Sequence, residues 1–206
     1  MKKLGVAFIL IGISLISVFG YQYWLSIQSV STIEEDNVVK NNNHQHFTNE
    51  NATKLINIDE AKTPNYENGD EVAKLVMPSI DLTFDVFWGT GEEALSQGVG
   101  MYVSDWTTPP DLGGHTVLSG HRDTVFKPVG ELNDGDSIYV SYQGEDYEYE
   151  INKIWITDED DDSVIVEKNE PTLTLSTCYP FQFIGSAPER YIVQAKLKNK
   201  GDLLND

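Results

Sequence analysis

From residue 71 onward the chain is divided into short strand-like runs by turn-forming residues, and this punctuation restricts its fold more than any other feature. A-K-L-V-M-P and D-L-T-F-D-V-F, separated by P-S-I, are followed by H-T-V-L-S (115–119), S-I-Y-V-S-Y (137–142), Y-E-Y-E-I-N-K-I-W-I (147–156), residues 172–177 and R-Y-I-V-Q-A-K-L (190–197). Gly, Pro and Asp fill the gaps, and β-branched and aromatic residues fill the runs. Only Glu92–Gln97 and V-F-K-P-V-G-E-L (125–132) suggest a helical turn. There is no strand–helix–strand rhythm and no repeat of 20–50 residues. Seven or eight strands joined this way indicate an all-β sandwich or barrel.

The N-terminus obeys different rules. Lys2 and Lys3 precede an uncharged stretch whose apolar heart runs from Leu4 to about Leu25, near the ~20 residues that span a bilayer. The lysines before it and Glu34, Glu35 and Asp36 after it orient the N-terminus inward, with Tyr21, Tyr23 and Trp24 at the outer interface. A cleaved signal peptide is the alternative, but its apolar core is shorter and it ends at a small-residue site such as A-x-A, which is absent here. The expected layout is a cytoplasmic stub and transmembrane anchor over 1–30, a polar extracellular stalk over 31–70 and one folded domain over 71–206. The stalk holds N-N-N-H-Q-H and few large apolar residues, a composition that stays solvated. His44 and His46 have no carboxylate or thiol neighbours in that tract, so they read as bystanders rather than metal ligands.

The net charge of −19 falls mostly on the folded part, with +2 before residue 31, −5 over 31–70 and −16 beyond. Nucleic acid is excluded as a partner, because phosphate recognition needs a basic face.

One cysteine, Cys178, occurs in the whole chain, in T-L-S-T-C-Y-P. A single cysteine cannot close an intramolecular disulfide, which leaves a free thiol, an intermolecular link or a buried small hydrophobe. In an extended strand Leu173, Leu175 and Thr177 share one face, and Thr172, Thr174, Ser176 and Cys178 share the other. Cys178 thus faces away from the leucines, and Pro180 puts it at the strand's rim. A thiol nucleophile needs a proton-transfer partner. His121 follows a strand and a turn-forming glycine in G-G-H-T-V-L-S-G-H-R-D-T, whereas His115 opens that strand at its other end. His121 is therefore the acid/base candidate, and His115 a rim residue or substrate contact. Only two of the 14 basic residues are arginines, Arg122 and Arg190. Arg190 opens the strand after Cys178, where its fork of N–H groups could meet a developing oxyanion or simply pair with a carboxylate.

T-L-S-T-C, together with L-S-G-H-R-D-T before it and A-P-E-R-Y-I-V-Q-A after it, resembles the sortase family of Gram-positive bacteria over about residues 71–199. The H-R-D-T-V-F and A-P-E-R-Y-I-V spellings are most similar to class D. The resemblance implies an eight-stranded sortase-type β-barrel with short helices and a membrane-anchored cysteine transpeptidase at the cell surface. By motif match, Cys178 would be the nucleophile toward the threonine carbonyl of an LPxT-type sorting signal. His121 would be the acid/base, and Arg190 would orient the peptide and stabilise the oxyanion. The partners implied are sorting-signal proteins and a peptidoglycan-precursor amine. Thr177 is a further candidate for a substrate or oxyanion contact. Two other readings stay open: a cysteine peptidase that uses the same residues with water as acceptor, and an anchored, non-catalytic peptide- or wall-binding module. No cofactor is expected. The acidic run at 158–162 offers Asp158, Glu159 and Asp160 as hard oxygen ligands for calcium, which some sortases use. Consecutive acids cannot all face one ion, however, and a charge run is usually a solvated loop.

Overall fold

A computed structural model of the chain describes residues 12–14, 16–18, 20–21, 30–31, 65–182, 185 and 187–204. Its centre is a closed β-barrel. Eight strands build it: β2 (Glu71–Met77), β3 (Leu82–Trp88), β4 (Val99–Met101), β5 (His115–Ser119), β6 (Ser137–Tyr142), β7 (Glu145–Asp158), β8 (Thr172–Tyr179) and β9 (Glu189–Gly201). A two-residue strand β1 (Val30–Ser31) adds to the edge of β3 through Val30 opposite Phe84 and Ser31 opposite Thr83. The sheet order is β1-β3-β2-β6-β7-β9-β8-β5-β4, and a parallel pairing of β4 with β3 closes the cylinder.

Local sequence accounts for the hairpins. β6 alternates cleanly, with Ile138, Val140 and Tyr142 buried and Ser137, Tyr139 and Ser141 half-buried, as a strand covered on one face should. Its turn into β7 is Gln143–Gly144, both at positive φ (52° and 81°), the two-residue geometry that matches the natural twist of a hairpin. Between β2 and β3 a single 3-10 turn at Pro78–Ile80 ends on Asp81 in the left-handed region. Inside the barrel, Leu75, Met77, Phe84, Val86, Leu118, Phe126, Leu173, Leu175 and Val193 form one apolar core.

The strand that shuts the barrel, β4, is absent from the expected pattern. V-G-M is three residues long with a glycine in the middle, too short for a period and too poor in β-formers. The glycine is nonetheless required. Gly89 N–H donates to Met101 O at 2.9 Å, and a Cβ on Gly100 would lie 2.5 Å from Gly89 O. The expected helical turns do form, as α1 (Glu92–Leu95) and a 3-10 segment at Lys127–Glu131.

Among the described residues no helix is long and apolar enough to cross a membrane. Most of the 4–25 stretch, almost all of residues 31–64 of the expected 31–70 stalk, and His44 and His46 lie outside the described residues. Those of the stretch that are described are helical, with Ile13, Ile16, Val18 and Tyr21 exposed.

Candidate active site

β8 has β5 on one side and β9 on the other, and each neighbour contributes one residue beside Cys178. On the β9 side the contribution is direct, because Cys178 and Arg190 are partners across the antiparallel ladder. On the parallel β5 side the last registered pair is Ser119 with Ser176. Two residues further along each chain, His121 comes level with Cys178. The three side chains line one cavity of ≈ 250 Å³, together with Arg122, Asp123, Glu159, Gly185 and Ala187. Cys178 is a free thiol of intermediate exposure, and His121 is exposed.

The turn that carries His121 is fixed to β8 at Gly120. Gly120 N–H donates to Ser176 O at 3.3 Å, and the Thr177 hydroxyl donates to Gly120 O at 2.7 Å. After the turn, Phe126 N–H donates to His121 O at 3.0 Å. The position admits only glycine without rearrangement, since a Cβ on Gly120 would sit 2.8 Å from both Phe126 Cγ and Val125 Cγ2.

Arg190 is held at both ends of its guanidinium. Nη1 donates to Ala187 O (3.1 Å) and Glu189 O (3.0 Å), and Nη2 donates to Glu159 Oε2 at 3.2 Å. Arg122 also reaches across the cavity rim, its Nη2 donating to Gly185 O at 2.6 Å. At the adjoining end of the barrel Tyr179, Phe181 and Tyr191 pack ring against ring, with centroids 5.1–6.0 Å apart. This aromatic group supports the ends of the two strands that carry Cys178 and Arg190.

Two expectations change. His115 is not a rim residue. It is 1% exposed, and its register partner on β8 is Thr172, six residues from Cys178, or about 20 Å along a strand. Its Nδ1 is 2.7 Å from Val166 O and its Nε2 is 2.8 Å from Thr174 Oγ1. A carbonyl can only accept, so Nδ1 carries a proton, and in the neutral ring Nε2 then accepts from the threonine. Burial pushes the imidazole below its usual pKa; the Val166 bond opposes this, and the Lys168 charge adds to it. His115 is thus a neutral interior link between β5, β8 and the β7–β8 loop.

Thr177 also has a different place. The residue is 3% exposed and shares the Leu173 and Leu175 face of β8 by alternation, and its hydroxyl is bonded to Gly120 rather than presented to the cavity. The acidic run, finally, does not converge on one point. Glu159 turns to Arg190, and Asp161 accepts from Thr157 and Ser163 within its own turn. Among the described residues no group of three or more His, Cys, Asp or Glu side chains is arranged to hold a metal. Consecutive residues in a turn point in different directions.

The family signature described as a sortase domain matches residues 75–198, more than half of the chain. The chain belongs to the sortase family. Sortases are cysteine transpeptidases, and this chain is similar to members of several of their classes. Sortase D of Bacillus subtilis (strain 168) is 42% identical over 131 residues, which span 63% of this chain and 65% of that protein. Sortase A of Listeria monocytogenes is 26% identical over 191 residues, or 86% of this chain and 85% of that one. Among solved structures, the catalytic domain of Bacillus anthracis sortase D is 48% identical, with a TM-score of 0.60. That match covers 71% of this chain and 100% of that domain. A sortase D5 transpeptidase of Clostridium perfringens is 29% identical, with a TM-score of 0.57 over 65% of this chain and 82% of that one.

What sequence reasoning missed around the site is Glu159. It lies 31 residues from Arg190 inside a run of acids, and only the β7–β9 register brings the two together, with Thr157 opposite Arg190.

Proposed function

We propose that this chain is a sortase that joins a surface protein bearing an LPxT-type sorting signal to a cell-wall-precursor amine, with Cys178, His121 and Arg190 as its reacting groups. The observation that carries the reading is that Cys178 and Arg190 are paired across β8 and β9 while His121 lines the same cavity from the far side.

In this reading Cys178 Sγ, as thiolate, attacks the threonine carbonyl carbon and forms a tetrahedral oxyanion. The guanidinium of Arg190 is a fixed donor near the thiol and stabilises that charge. His121, as imidazolium, protonates the leaving amine when the peptide C–N bond breaks, and a thioester on Cys178 remains. The neutral imidazole then removes a proton from the incoming amine as its nitrogen attacks the thioester carbonyl, and the thiolate departs. The thioester conserves the acyl energy, so no nucleotide is needed outside the cell. The anchor proposed for residues 4–25 would hold the barrel at the outer membrane face, N-terminus in the cytoplasm. The run of exposed Ile13, Ile16 and Val18 on the described helical residues supports this.

The test is product analysis with LPxTG- and LPxTA-type peptides, with and without an added primary amine. Amide product that requires both Cys178 and the amine supports the reading. Carboxylic acid as the only product, whether or not amine is present, assigns a peptidase. No turnover with either peptide rejects the assignment of this signal class.

A further inference from the structure

We infer that Glu159 is a positioning residue for Arg190, setting where the guanidinium stands over the Cys178 cavity. The inference rests on the role given to Arg190 above. Register places the Cα of Arg190 beside that of Cys178, but it does not place the guanidinium, which ends a long and freely rotating side chain. Something must hold it. Two carbonyls, of Ala187 and Glu189, take Nη1, and Glu159 takes Nη2. Without the carboxylate the group pivots about Nη1.

Glu159 is itself anchored. Its own N–H donates to Pro188 O at 3.0 Å, so the backbone of the acidic turn is joined to the segment that leads into Arg190. The side chain lines the same cavity as Cys178. Three of the five guanidinium N–H groups are then accounted for, and two have no protein partner among the described residues. Those two are the ones a carbonyl oxygen in the cavity can accept from.

The pair's exposure separates positioning from structural support. The Arg190 side chain is 29% exposed and that of Glu159 43%, so solvent screens the ion pair and it contributes little to folding. Misplacing a charge donor by about 1 Å can cost up to roughly 100-fold in rate. Loss of Glu159 should therefore appear in the chemistry and barely in the melting temperature.

The experiment uses the full-length chain in detergent. Acyl transfer from an LPxTG- or LPxTA-type peptide is measured for wild type, Glu159→Gln, Glu159→Ala, Arg190→Ala and the Glu159→Ala/Arg190→Ala double variant. Thermal unfolding and iodoacetamide alkylation of Cys178 are followed alongside. Glu159→Ala should lower kcat by about 10-fold with KM nearly unchanged, leaving alkylation and unfolding as in wild type. Glu159→Gln keeps an acceptor oxygen without the charge and should fall between the two. In the Arg190→Ala background Glu159→Ala should have no further effect, since a positioning residue has nothing left to position. Additive losses in the double variant, or a Glu159→Ala rate equal to or above wild type, overturn the inference while Arg190 keeps its role. Full activity in Arg190→Ala would instead remove the reading on which the inference stands.

Discussion

Replacing Thr177 by valine separates two roles that its position next to the nucleophile invites. The side chain is buried, and its hydroxyl donates 2.7 Å to the carbonyl of Gly120, which is also buried. Valine has nearly the same volume, so no cavity opens. What is lost is one hydrogen bond, about 1 kcal/mol net, and a buried carbonyl is left without this donor, a penalty of about 1–3 kcal/mol. The domain should lose about 2 kcal/mol, lowering the melting temperature by roughly 5–10 °C. The effect on chemistry follows from geometry. With the hydroxyl gone, the turn before His121 keeps only the longer Gly120 N–H bond to Ser176 O, at 3.3 Å. His121 becomes less well placed, and acyl transfer should drop by about 10-fold. Alkylation of Cys178, on the other face of β8, should be unchanged, and Thr177→Ser should behave as wild type. The assay is thermal unfolding beside peptide acylation and iodoacetamide trapping. A Thr177→Val protein that melts like wild type yet loses acyl transfer would refute the reasoning and return the hydroxyl to the substrate.

Two further outcomes follow from the same geometry. Gly100→Ala places a methyl group against Gly89 O at the seam that closes the barrel, and should cost about 1–3 kcal/mol, measured by denaturant unfolding. His115→Asn should flatten part of the pH dependence of stability. Burial lowers the folded-state pKa of His115, so the unfolded chain binds the extra proton first as pH falls. The stability tied to the neutral imidazole is complete above the unfolded value of about 6.5 and is lost as pH drops below it toward the lower folded value. Melting curves at pH 7.5 and 5.5 should diverge more for wild type than for His115→Asn; equal differences would count against a neutral interior histidine.

Most of the barrel could be read from the chain, because seven strands carry β-formers bounded by turn residues. The eighth, β4, could not, since its claim to be a strand lies in the close approach of Gly100 to Gly89, a tertiary fact with no periodic trace. Cys178 was legible through side-chain alternation, which correctly turned it away from the leucines. His121 and His115 flank the same strand and differ in sequence only by which end they occupy. The structure separates them by burial and by the parallel register of β5 with β8. Thr177 neighbours the nucleophile in sequence, but a strand sends consecutive side chains to opposite faces, and its hydroxyl meets Gly120 O instead of the cavity. Glu159 was hidden in a run of like residues, where only the β7–β9 register singles it out.

The central claim is that Cys178 carries the acyl group between donor peptide and acceptor amine. Intact-mass spectrometry of the full-length chain in detergent, mixed with LPxTG- and LPxTA-type peptides before an amine is added, tests it most directly. A mass gain on Cys178 equal to the peptide up to its threonine, absent in Cys178→Ala and discharged as amide when the amine arrives, is the predicted result. A folded protein whose thiol alkylates readily but never gains that mass with either peptide would contradict it.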